Sequence, residues 1–137
     1  MNHPIPELTA FMDAWKTDVY GVKPLFAAMY ESLAAMPGAR LEYKGRPGVS
    51  HSLRGLVEGG RPLFVLVDVI DDEPESRWLS VCFYADLVFD PDERGDVVPG
   101  GLMGEDARCF DVENPDGMED YMLDRLREAY ANAGGKP

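Results

Sequence analysis

The chain is poor in the side chains from which metal centres and thiol chemistry are built. It holds two cysteines and two histidines in 137 residues. Structural zinc needs a closed set of Cys and His, usually in close pairs. Here Cys82 and Cys109 stand alone, His3 sits in the N-terminal segment and His51 has no neighbour of its kind, so no metal site is expected. Two cysteines also make no disulfide scaffold, which points to a reduced, cytoplasmic setting. Neither cysteine lies in a CxxC pair or at an evident helix start, the contexts that lower a thiol pKa. Both are therefore expected as free, packed side chains and not as nucleophiles served by His51.

Other absences narrow the field further. No apolar run approaches the roughly 20 residues that span a membrane. The start, MNHPIPELTA, lacks the basic and apolar regions of a leader, so none is expected. There is no GxxxxGK[ST] or GxGxxG stretch, and hence no recognisable nucleotide loop and no cofactor expected. Bases are scarce as well, 13 against 25 acids, a net charge of −12. The deficit is local: residues 68–120 carry 17 acids and 3 bases. Such a field repels nucleic acid and anionic membranes, so neither is an expected partner.

What is present is a core for one domain spanning residues 1–137, with 1–5 and 134–137 expected to fray. Its centre is residues 63–89, LFVLVDVIDDEPESRWLSVCFYADLVF, read as two strands around an acidic turn at 71–76. That turn would pair Ile70 with Arg77, Asp68 with Leu79, Leu66 with Val81 and Phe64 with Phe83. The other face would then carry Leu63, Val65, Val67 and Val69 against Tyr84, Cys82, Ser80 and Trp78. Both faces are then mostly apolar, which requires a cover on each. Helices can supply one; loops, a partner or a ligand must supply the other.

Leu8, Phe11, Met12, Trp15 and Val19 form one helical stripe over 7–19. A second helix starts near Lys23 and ends at Met36-Pro37-Gly38. Two short strands joined by Pro47-Gly48 follow over 40–58. Residues 90–105, rich in Asp, Gly and Pro, predict a long surface loop, and 107–112 one more strand. Asn114 and Pro115 open a closing helix that runs to about Ala133. The expected class is α+β: two N-terminal helices, an antiparallel sheet of about five strands and a C-terminal helix.

Three stretches could carry chemistry. Residues 90–101 superficially follow a calcium loop, but Arg94 fills the fifth place and Gly101 the twelfth, where oxygen ligands are needed. A weaker cation site built from those acids with Glu105 and Asp106 is the remaining option, against a solvated acidic loop. Arg40, Lys44, Arg46, Arg54 and Arg61 against Glu42 and Glu58 make a basic island within an acidic chain. Arginine forks with Ser50, His51 and Ser52 suit a carboxylate or phosphate; the bland alternative is pairing with the chain's own acids. The glycines of 99–105 would let a backbone approach a ligand.

The order of helix, Pro-Gly stop, EYKGRPGVSHSLRG, FVLVDVI, WLSVCFY and closing helix resembles the small YdhG-like domains of unknown function over roughly residues 22–133. That resemblance implies a twisted antiparallel sheet with helices on one side and a concave other side. The 90–105 stretch departs from the pattern, and no catalytic residue is carried over.

The sequence thus favours a non-catalytic cytoplasmic binding or interaction domain using the second sheet face, with a protein partner or a second copy of the chain. The alternative is a small enzyme or anion-binding protein that takes a small anionic ligand on Arg46, Ser50, His51 and Arg54, beside Glu105 and Asp106. No residue is assigned a catalytic role.

Overall fold

The structure, a computed structural model, describes residues 5–136, so His3 and the outermost residues of both expected frayed ends lie outside it. The order is α1 (Pro6–Ala14), α2 (Lys23–Ala34), β1 (Ala39–Arg46), β2 (Ser50–Val57), β3 (Val65–Ile70), β4 (Trp78–Tyr84), β5 (Asp96–Leu102), β6 (Glu105–Val112) and α3 (Glu119–Asn132). The α+β class holds, with six antiparallel strands instead of about five. They lie in the order β1-β2-β3-β4-β6-β5.

One face of this sheet builds the core. Leu53, Val67, Val81 and Phe110 lie side by side across β2, β3, β4 and β6. They are buried with Val65, Val69, Leu79 and Phe83 against Leu8, Trp15, Phe26, Met29 and Leu33 of the N-terminal segment and Met122, Leu126 and Ala129 of α3. Each buried aliphatic side chain of this kind is worth about 2 kcal/mol. Ring contacts tie the layers together: Phe11 stacks on His51, Phe64 meets Tyr130 and Phe110 meets Tyr121.

Four expectations are corrected. First, α1 stops at Ala14, not at residue 19, because Asp18 is committed to the next helix. Its carboxylate accepts the Val22 and Lys23 amides at 3.0 and 2.9 Å, leaving Val19 67% exposed. Second, 90–105 is not all loop, since β5 pairs with β6 from Asp96. Pro99 is tolerated because β5 is the outer strand, and the ladder shifts register between Val98 and Leu102. Third, Asn114 turns the chain by accepting the Asp116 amide, and Gly117 sits at φ 70°, so α3 begins only at Glu119.

The fourth is the register of the central hairpin. Ile70 pairs with Trp78, Asp68 with Ser80 and Leu66 with Cys82, one residue away from the expected pairing. Arg77 is the reason: its Nε donates to Asp71 Oδ1 at 2.6 Å, which keeps it in the turn. A one-residue slip moves every side chain of a strand to the other face. The valines of β3 therefore meet Leu79, Val81 and Phe83, and the second face becomes mixed.

Candidate functional site

Alternation and register assemble the second face in three rows. Arg46, Ser50, Ile70 and Trp78 form one. Lys44, Ser52, Asp68, Ser80 and Asp111 form the next, and Glu42, Arg54, Leu66, Cys82, Cys109 and Asp96 the third. Ser52, Arg54, Leu56, Leu66, Asp68, Ile70, Trp78, Ser80, Cys82 and Cys109 are all half-buried. The face is open.

Its centre holds Asp68. Burial among Leu66, Ile70 and their neighbours pushes this carboxyl above its ordinary range, against the pull of the Ser52 hydroxyl and of Arg54 and Arg46. The Ser52 hydroxyl donates to Asp68 Oδ1. Beside it lies a recess of about 320 Å³ lined by Glu42, Tyr43, Lys44, Ser52 and Arg54.

Cys82 and Cys109 are joined as a disulfide in this face, their Cα atoms 4.2 Å apart. The expectation of two lone, free, packed thiols is corrected. The 27 residues between them conceal that β4 and β6 are neighbours, with these two positions opposite each other.

His51 belongs to the other layer. It is buried on the helix side of β2, under the Phe11 ring at 3.7 Å between centroids. Its Nε2 lies 2.9 Å from Asp71 Oδ2 and its Nδ1 2.7 Å from the Tyr43 hydroxyl. Asp71 also accepts from Arg77 Nε and from the Gly48 amide, at 2.6 and 3.1 Å. Burial would raise the Asp71 carboxyl, but those hydrogen bonds hold it below its usual range. Both ring nitrogens of His51 thus have a hydrogen-bond partner. This His–Asp pair has no thiol beside it, since both cysteines lie on the opposite face and are bonded to each other. It ties β1, β2 and the β3–β4 turn to α1.

The proposed anion set is thus divided. Arg46, Ser50 and Arg54 share the open face, whereas His51 is behind it. Glu105 and Asp106 lie beyond β3 and β4, at the start of β6. There Glu105 is 3.7 Å from Arg61, and Asp106 accepts the Gly100 amide at 3.1 Å. Among the described residues Arg61 is the one base of the island in a direct ion pair, also gripping Asp86 while lying over the Tyr84 ring. Among the described residues Arg40, Lys44, Arg46 and Arg54 make no direct ion pair.

The calcium-like stretch has a different use. Asp90 is buried, accepting from the Gly95 and Arg94 amides, from Arg108 and from the Tyr121 hydroxyl. Its oxygens are spent inside the protein. Among the described residues no three His, Cys, Asp or Glu side chains gather as a metal's ligand set would.

Sequence reasoning missed Asp71 and Tyr43 as partners of His51, Arg77 as a second partner of Asp71, and Asp68 as the centre of the open face. A signal for the second was available. An Asp flanked by Leu66 and Ile70 within VLVDVI already marks those three as one face, distinct from the three valines.

No family model, no curated protein and no solved structure matches this chain. No helix among the described residues is long and apolar enough to cross a membrane.

Proposed function

We propose that the chain is a non-catalytic binding domain whose open sheet face receives a protein partner. The observation that carries this reading is the helix-free part of the second face, on which Leu56, Leu66, Ile70 and Trp78 are half-buried. A mixed face with an aromatic anchor, aliphatic side chains and arginines along one edge has the composition of an interface. The His–Asp pair supports the same conclusion, since it is sealed under Phe11 with every partner satisfied. A photo-crosslinking residue at position 66 should capture protein in living cells, while the same residue at exposed Tyr20 should not. Adducts from position 20 alone would refute the reading.

A second reading rests on the 320 Å³ recess lined by Lys44, Ser52 and Arg54, with Arg46 on the same face; among the described residues none of these bases makes a direct ion pair. These groups suit a small carboxylate or phosphate. Titration calorimetry with phosphate and citrate tests it: heat that disappears in Arg54→Ala supports a small-anion site, and no heat removes it.

We take the cytoplasm as the working compartment on the scarcity of cysteine. The Cys82–Cys109 bond weighs against it, because cytoplasmic thiols are kept reduced. Trapping thiols in intact cells with acid decides: two alkylated cysteines fit the cytoplasm, and a persistent bond assigns an oxidising compartment.

A further inference from the structure

The open face is electrically polar from edge to edge. On β1 and β2 it carries Arg40, Lys44, Arg46 and Arg54 with Glu42 as the one acid, a net of +3. On β6 and β5 it carries Glu105, Asp111 and Asp96, a net of −3. Between them β3 and β4 present Leu66, Ile70, Trp78 and Cys82, with Asp68 and Ser80. Apart from Glu105, the charges of both halves are without a direct ion pair among the described residues.

We propose that the partner of this face is a second copy of the chain, packed face to face about a two-fold axis that runs between β3 and β4, along the strands. The proposal rests on the open face being the binding surface. A two-fold axis in the plane of the interface, parallel to the strands, reverses the strand order of the partner. It lays β1 and β2 of one copy over β5 and β6 of the other, basic half on acidic half, twice. The apolar strands β3 and β4 meet across the axis. An axis in the same plane but across the strands would stack like charge on like charge, so the charge pattern selects one of the two orientations.

The size is adequate. Six strands at about 4.8 Å spacing cover roughly 24 Å. Eight residues of β1 add roughly 23 Å in the other direction. Side-chain relief on such a footprint approaches the about 800 Å² per partner of a standard interface. Packed sheets keep their strands within about 30°, which this axis allows.

The test uses two double variants. R46E with R54E makes both edges acidic; D96K with D111K makes both edges basic. Thermal melts establish that each folds. Sedimentation equilibrium of the native chain at micromolar concentration should show a dimer that weakens with salt. Each variant alone should dissociate at least about tenfold more readily, and an equimolar mixture of the two should recover the dimer. Failure of the mixture to associate, when each variant is folded and monomeric, overturns the two-fold arrangement. A native chain that stays monomeric overturns the second copy as partner but leaves the open face as a binding surface. A dimer retained by both variants and by W78K overturns the proposal together with the reading it rests on.

Discussion

At the scale of single residues, the acid dependence of stability centres on two carboxylates with buried side chains. Asp71 holds His51, Arg77 and the Gly48 amide, and Asp90 holds Tyr121, Arg108 and two amides. Both have carboxyl pKa values below the ordinary range despite burial, because those donors favour the ionised form. A depressed folded-state value contributes stability above the unfolded value of about 3.9, and that contribution is lost as pH falls through the folded value. Asp68 opposes them, since a raised value destabilises the fold as pH climbs through it. Acid titration of the melting temperature should therefore show a steep fall below about pH 4. Asp71→Asn should cost about 3 kcal/mol near neutrality, because Arg77 loses its buried counter-charge, and should flatten the acid limb. A melt unchanged by this substitution at neutral pH would contradict the role given to Asp71.

At the scale of elements, the periodicity of β3 was legible and the pairing of its partner was not. VLVDVI alternates strictly, and three valines on one face are enough to identify the core side. The register of β4, by contrast, depends on whether the turn ends at Ser76 or Arg77, and that is settled by a hydrogen bond to Asp71 that alternation does not encode. The same holds for β5, where Pro and Gly mark a loop by local chemistry while pairing with β6 makes an edge strand. The disulfide follows from the order β4-β6, a non-local fact. Denatured protein without reductant should yield no titratable thiol, and Cys82→Ser with Cys109→Ser should lower stability by about 3 kcal/mol, as expected for a loop of this length. At Gly55 in β2, an added Cβ would lie 2.9 Å from the Phe64 ring and 3.0 Å from Val65 Cγ1. Strand propensity favours a substitution there, but packing opposes it; Gly55→Ala should destabilise by roughly 2 kcal/mol in denaturant titration.

At the scale of the whole molecule, composition and class were within reach of the sequence, and so was the existence of a second face needing an explanation. Its character was not, because one residue of register changes an apolar face into one that alternates Leu66, Asp68 and Ile70. The basic island behaves similarly. Its members are contiguous in sequence, but β2 sends His51 to the core and Ser50, Ser52 and Arg54 to the open face, so proximity in sequence did not mean a shared site. What emerges is a layered domain in which every helix serves one side. The other side is left with a tryptophan, aliphatic side chains and charges segregated by sign. Hydroxyl-radical footprinting inside intact cells, compared with the purified chain at high dilution, tests that conclusion most directly. Leu66, Ile70 and Trp78 should be protected in cells and reactive on dilution, while Phe89, which is 78% exposed elsewhere, should react equally in both. Equal reactivity of Leu66, Ile70 and Trp78 under the two conditions would contradict it.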